Sequence, residues 1–89
     1  MGWAIDKDFI GGTRSEVGTG YGKAPTSDDS VRFHLFDDDG ELYYAGRITR
    51  EWIYGDDETK AFAPLDWAER NAGCTEMRYL DDSNRWQVL

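Results

Sequence analysis

The sequence predicts an α+β fold in which two β-hairpins flank one short helix. Three observations support this prediction. Two stretches of alternating apolar and polar side chains are each interrupted by a polar turn, a segment between them begins with proline and ends with glycine, and thirteen aromatic residues supply apolar area to a chain of only 89 residues. We expect one domain over residues 1–89, with a four- to five-stranded antiparallel sheet and a compact strand–strand–helix–strand–strand core at residues 31–89.

The N-terminal third divides into a short strand and a loop. Trp3 and Ile5 alternate with polar neighbours, which indicates a fifth strand. Residues 11–30 contain five of the ten glycines together with Pro25 and several Ser, Thr and Asp residues. This composition is typical of a long loop, so we expect a glycine-rich, mobile loop at 11–30.

The first hairpin is the strongest signal, because Asp39-Gly40 suits a tight turn between residues 31–36 and 41–48. A two-residue turn places Phe33 opposite Gly46, whereas a four-residue loop places it opposite Tyr44, and both remain open. Either register predicts one apolar face and one mixed face. The apolar face is Val31, Phe33, Leu35, Leu42, Tyr44 and Ile48, and the mixed face is Arg32, His34, Phe36, Tyr43, Ala45 and Arg47.

The helix is predicted over residues 64–73, since Pro64 suits a first helical position and Gly73 suits a helix end. Its buried stripe would be Leu65, Ala68 and Ala72. Residues 52–54 fit a strand or a helical turn, and residues 55–58 fit an exposed loop. A second hairpin follows at 75–80 and 85–89, with Met77, Tyr79, Trp86 and Val88 predicted on one face. We expect Tyr44, Trp67, Trp86, Leu35 and Met77 to meet in the core.

The charge is strongly acidic, with ten Lys and Arg against eighteen Asp and Glu, a formal net charge of −8 and a pI of about 4.4. Such a surface repels nucleic acid and anionic membranes and attracts basic proteins, although acidity can also serve solubility alone. The single cysteine excludes an internal disulfide and suits a reducing compartment. The chain shows no signal peptide and no long apolar run, so we expect a cytoplasmic protein.

No segment of the sequence has the residue spacing that a known catalytic or cofactor-binding motif requires. An EF-hand with Gly40 at its sixth position would have Leu35 and Gly46 at positions that need carboxylates. Residues 18–23 lack the spacing of a phosphate-binding loop. The only histidine and the only thiol, His34 and Cys74, fit a strand surface and a packed interior position. We therefore expect no enzyme activity, no metal site and no cofactor.

Four segments carry a resemblance: residues 3–8, 37–44 (Asp-Asp-Asp-Gly-Glu-Leu-Tyr-Tyr), 62–67 (Phe-Ala-Pro-Leu-Asp-Trp) and 72–76 (Ala-Gly-Cys-Thr-Glu). Together they resemble small acidic proteins of bacteria and of their phages and mobile elements, for which no activity is established. The resemblance implies a complete small protein of phage or plasmid origin.

The lead hypothesis is a non-enzymatic protein whose acidic surface imitates nucleic acid and engages a basic host protein, as anti-CRISPR or anti-restriction proteins do. The alternative is a small module that self-associates through Phe36 and Tyr43, so a monomer or a weak dimer is expected. The mixed face resembles a stacking platform for single-stranded nucleic acid, but the net charge argues against direct nucleic-acid binding and favours protein contact. The predicted contact residues are Asp37, Asp38, Asp39, Glu41, Asp56, Asp57, Glu58, Asp81, Asp82, Phe36 and Tyr43.

Overall fold

A computed structural model describes residues 2–9 and 29–89, and its architecture is α+β, as predicted. Within these ranges, five strands and three helices follow in chain order: β1 (Trp3–Asp8), β2 (Ser30–Phe36), β3 (Leu42–Thr49), α1 (Arg50–Tyr54), α2 (Glu58–Ala61), α3 (Ala63–Ala72), β4 (Glu76–Leu80) and β5 (Trp86–Val88). The loop predicted at 11–30 lies outside the described residues except for Asp29 and Ser30, and Ser30 already belongs to β2.

The strands form one antiparallel sheet in the order β1-β3-β2-β4-β5. The first hairpin therefore occupies the centre of the sheet, because β1 pairs with the outer side of β3 and β4 pairs with the outer side of β2. Phe33 lies opposite Gly46, as in the two-residue register, but an extra residue, Tyr43, interrupts the ladder between Leu35 and Phe36. Residues 30–35 of β2 therefore pair as the two-residue turn predicts. The β-bulge shifts the pairing beyond Leu35, so the turn itself is longer than two residues.

One sheet face is covered by the helices and forms the core. Its cluster is Trp3, Ile5, Val31, Phe33, Leu35, Tyr44, Ile48, Trp52, Ala68, Cys74 and Met77. The Trp67 ring lies 5.5 Å from that of Trp3 and 5.1 Å from that of Tyr44, so α3 is anchored by aromatic contacts. A Cβ at Gly46 would lie 2.1 Å from the Ala4 carbonyl oxygen. The close approach of β1 to β3 therefore requires glycine at this position.

The helix predicted at 64–73 is confirmed as α3, which ends at Gly73 in the left-handed conformation with φ of 75°. Its predicted stripe faces the core, with Ala68 fully buried and Leu65 and Ala72 packed against the cluster. Residues 52–54 are helical and belong to α1, a helix too short to be stable alone. Burial of Trp52 holds α1 on the sheet.

The faces predicted for the second hairpin are wrong for β5. Trp86 lies opposite Leu80 and Val88 lies opposite Arg78, so both point away from the core that contains Met77. Trp86 is 42% exposed and Val88 is 64% exposed. The turn has three residues between its closing pair, Asp81 and Arg85, and this odd number reverses the face that an even-numbered loop would give.

The face predicted for Leu42 is also wrong. Leu42 pairs with Phe36 beyond the bulge and therefore shares the face of Phe36 instead of the core face. The other five residues of the predicted apolar face, Val31, Phe33, Leu35, Tyr44 and Ile48, are all buried in the core, as expected.

The three helices have four to ten residues, and within the described ranges none has the length and apolarity needed to cross a lipid bilayer.

Candidate functional site

The first acidic turn, residues 37–41, is built by the carboxylate of its first residue. Asp37 Oδ1 accepts hydrogen bonds from the backbone N–H groups of Asp39 at 2.9 Å and Glu41 at 2.8 Å. The backbone closes through Asp37 N–H to the Glu41 carbonyl and Gly40 N–H to the Asp37 carbonyl, both at 3.1 Å. Gly40 has φ of 81°, a conformation that glycine adopts without strain.

The second acidic turn, residues 81–85, repeats this arrangement. Asp81 Oδ1 accepts from the N–H groups of Ser83 and Arg85, both at 2.9 Å, and the Asp81 N–H donates to the Arg85 carbonyl at 2.8 Å. Asn84, with φ of 66°, takes the place of glycine. The carboxylates of Asp37 and Asp81 are therefore occupied in holding backbone, although both were predicted as partner-binding groups.

Hydrogen bonds lower the pKa of the two turn carboxylates, whose charged forms they stabilise, and raise the pKa of a neighbouring phenol, whose neutral form they stabilise. Backbone donors, first of all the N–H of Glu41, lower the pKa of Asp37, and the N–H of Arg85 does the same for the pKa of Asp81. Tyr43 donates its hydroxyl to Asp37, which raises the pKa of this phenol. Both turn carboxylates are thus charged at neutral pH while they hold their turns.

Two further predicted residues have local partners. Asp57 Oδ1 accepts from the Thr59 N–H at 3.0 Å and caps α2, and Asp82 forms an ion pair with Arg50. The remaining predicted carboxylates are exposed, and among the described residues none of them has an ion-pair partner: Asp38, Asp39, Glu41, Asp56 and Glu58.

The two acidic turns lie at opposite ends of the sheet. The first follows the end of β2, whereas Leu80, which leads into the second, lies towards the start of β2 because β4 is antiparallel to it. The seven residues of β2 span roughly 20 Å. The structure therefore separates carboxylates that the sequence interpretation combined into one surface.

Phe36 and Tyr43 are not one aromatic patch. Arg78 lies 4.7 Å from the centre of the Phe36 ring on the face away from the helices, and His34 lies 6.1 Å from it. Tyr43, at the bulge, packs against the core cluster instead. The shared face predicted for them is wrong, because the bulge changes the side on which the chain places the next residue.

The sheet face away from the helices, here named the open face, carries the opposite charge balance from the turns. Arg32 lies directly opposite Arg47, and His34 lies opposite Arg78. Arg47 forms a bidentate pair with Asp6, at 3.1 Å for Nε to Oδ2 and 3.1 Å for Nη2 to Oδ1. The sequence pattern had already placed Arg32, His34 and Arg47 together; it missed Trp86, whose ring stacks on His34 at 4.1 Å.

His34 and Cys74 lie on opposite faces of the sheet. Cys74 is fully buried in the core, and burial raises the pKa of its thiol to about 11. His34 belongs to the open face, where burial and then the charge of Arg32 lower its pKa, so the imidazole is neutral at pH 7. A thiolate–imidazole pair cannot form across the sheet.

Within residues 2–9 and 29–89, no group of three or more His, Cys, Asp or Glu side chains is arranged to hold a metal ion.

Comparison with protein-family models, with curated proteins and with solved structures finds no match to this chain.

Proposed function

We propose that this protein is a non-enzymatic binding protein whose acidic turn at residues 37–41 docks on a basic surface of a protein partner. The observation that supports the proposal most directly is that one carboxylate of the turn is hydrogen-bonded to the backbone while the other three are exposed. Asp37 holds the backbone, while Asp38, Asp39 and Glu41 extend into solvent without an ion-pair partner among the described residues. Four carboxylates thus occupy five consecutive positions, and no cation of the described residues forms an ion pair with them.

Rigidity makes this turn suitable for recognition. Four hydrogen bonds define its backbone, and Tyr43 bonds to Asp37 from the bulge that follows. A preformed loop loses less conformational entropy on binding than a mobile loop of equal charge. The negative potential would also accelerate encounter with a basic partner, and salt would weaken that effect.

A nucleic-acid-binding protein is the partner class that we favour, because such proteins carry clustered Lys and Arg that normally contact phosphates. Carboxylates can replace those phosphates, in the manner of phage-encoded inhibitors of CRISPR or restriction nucleases. The 20 Å separation of the turns, roughly the length of β2, favours contact through one turn at a time over imitation of an unbroken row of phosphates.

The test combines charge removal with a matched control. The turn variant carries Asp38→Asn, Asp39→Asn and Glu41→Gln and keeps Asp37; the control carries Glu51→Gln, Asp66→Asn and Glu69→Gln, three exposed carboxylates of the helical layer. Binding to a basic nuclease would be measured by biolayer interferometry at about 50 and 300 mM salt. We expect the turn variant to bind roughly tenfold more weakly and the control to change less than about threefold.

Equal losses in both variants would show that net charge alone drives binding, which contradicts a role for the turn. Salt-insensitive binding would contradict the electrostatic basis of the proposal.

A second candidate function, self-association, is favoured by one observation. The edge strand β5 has three residues and exposes Trp86 and Val88. Exposed apolar side chains on an unpaired strand edge are a common route to association between copies. Sedimentation velocity over a hundredfold concentration range tests it: a dimer that Val88→Lys abolishes supports self-association, and a monomer throughout contradicts it.

A further inference from the structure

The open face contains a concavity of about 820 Å³ that the acidic turns do not explain. Its floor is β2 and β3, and its lining includes Lys7, Arg32, Arg47 and Arg50, half of the eight Lys and Arg residues in the described ranges. This volume is within the range of small-molecule sites in proteins. Asp6, Asp81 and Asp82 line the concavity as well, so four cations against three carboxylates leave it with a charge of +1 in a protein of net charge −8.

Two of these cations lie in positions that lower the stability of the sheet. Arg32 and Arg47 are direct cross-strand partners, and like charges in such positions destabilise a sheet. Asp6 neutralises Arg47 through its two hydrogen bonds, and Asp82 pairs with Arg50. Arg32 has no ion-pair partner among the described residues, so one exposed guanidinium remains beside a neutralised one. An anion at Arg32 would remove this imbalance.

Aromatic side chains adjoin the same cations. Phe9 lines the concavity and is 51% exposed, and His34 lines it with its ring stacked against Trp86. The combination of guanidinium groups with exposed rings is the one that proteins use for phosphate next to a heteroaromatic base. A carboxylate ligand would use the cations and leave the rings without a role.

Neighbouring carboxylates limit the ligand to a small one. Asp81 and Asp82 also line the concavity, and the acidic turn at 37–41 lies at the far end of β2. A nucleic-acid strand that extended beyond the concavity would bring further phosphates towards these carboxylates, whereas a single nucleotide would not.

We infer that the concavity is a binding site for a free nucleoside monophosphate, with the phosphate held at Arg32 beside the Arg47–Asp6 pair and the base against the aromatic side of the site. This site is independent of the proposed protein-binding turn. It uses the opposite sign of charge on a different part of the sheet, so either proposal can fail while the other holds.

The test is an NMR titration of the full chain with AMP, adenosine and inorganic phosphate, each to about 5 mM at low salt. We expect AMP to shift the amide signals of β2 and β3 around Arg32 and Arg47, and to bind at least tenfold more tightly than adenosine or phosphate alone. Arg32→Gln should weaken AMP binding at least tenfold. The matched control is Arg70→Gln, an exposed arginine of α3 with the same change of charge, which should leave binding unchanged.

Three results would overturn the inference. The first is the absence of any AMP-induced NMR shift at about 5 mM. The second is equal affinity of Arg32→Gln and the parent protein for AMP. The third is tighter binding of a twelve-nucleotide oligothymidylate or of a glutamate-rich peptide than of AMP. Thermal unfolding of each variant shows whether it is folded. Lys7→Gln, exposed in the same concavity, gives a second variant that should weaken AMP binding if Arg32→Gln is unstable.

Discussion

The hairpins around residues 37–41 and 81–85 share one type of turn but have different surroundings. In each, an Asp carboxylate binds two backbone N–H groups and a residue with positive φ completes the loop. The first turn joins two long strands at the centre of the sheet, whereas the second leads into the three-residue edge strand β5. The same local chemistry therefore precedes a buried strand in one case and an exposed strand in the other.

This difference shows that the turn sets the register and that the neighbours set the burial. β3 is flanked by β1 and β2 and lies under the helices, so its inward side chains lose contact with water. Among the described strands β5 has one neighbour, β4, and its Trp86 and Val88 lie on the open face. The central hairpin should consequently control global stability, and the edge strand β5 should have only a local effect.

The largest expected contrast comes from removing one aromatic ring from each hairpin. Phe33→Ala should lower the free energy of unfolding by about 4 kcal/mol, because the fully buried ring leaves a cavity in the core. Trp86→Ala should cost only about 1 kcal/mol, since Trp86 is 42% exposed, lies outside the core cluster and loses mainly the stack on His34. Urea denaturation followed by circular dichroism measures both values, and equal losses would mean that Trp86 belongs to the core.

A smaller contrast separates two glycines of the central hairpin. Gly46→Ala should cost about 3 kcal/mol, because its methyl group would meet the Ala4 carbonyl oxygen at 2.1 Å and force β1 away from β3. Gly40→Ala meets no atom within 4 Å and should cost about 1 kcal/mol for its positive φ alone. Amide hydrogen exchange should show loss of protection in β1 for Gly46→Ala only; intact β1 protection in that variant would refute the close approach.

The smallest effect concerns the two turn carboxylates at acid pH. Their pKa values are lowered in the folded protein, so each contributes stability that is complete above the unfolded value of 3.8 and is lost as the pH falls through the lower folded value. Asp37→Asn should therefore flatten the acid limb of the stability curve. Asp81→Asn should act mainly on local opening of β5, as its turn holds only the edge strand.

The measurement is thermal unfolding between about pH 2 and pH 7, with β5 amide exchange recorded in parallel. Asp38→Asn is the matched control, because this exposed carboxylate has no hydrogen-bond or ion-pair partner among the described residues and its loss should leave the acid limb unchanged. An acid limb unaltered by Asp37→Asn would contradict the role of Asp37 in the turn.

Sequence reasoning was strongest where a signal was local. The turn at Asp39-Gly40, the helix between Pro64 and Gly73 and the burial of Phe33 and Leu35 all follow from periodicity and from residues with special backbone preferences. Each of these signals depends on a few neighbouring residues, so it survives without knowledge of the rest of the chain.

The candidate sites were less predictable. They depend on whether a turn or bulge contains an odd or an even number of residues, and on partners distant in sequence. One extra residue in the bulge at Tyr43 and three-residue loops in both turns reversed the faces expected for Leu42, Tyr43, Trp86 and Val88. A repeated signal was present, since each turn begins with Asp and has Gly or Asn three positions later. The pairing of Asp6 with Arg47, 41 residues apart, had no such local signal.

The sequence by itself determined the α+β class, the two hairpins and the acidic exterior, because turn residues, apolar alternation and net charge act over short ranges or as simple sums. Only the tertiary structure decided that the acidic turns lie at opposite ends of the sheet and that Arg32 and Arg47 face each other across β2 and β3. Those positions follow from strand order and bulges, which are set by packing of the whole sheet against its helices.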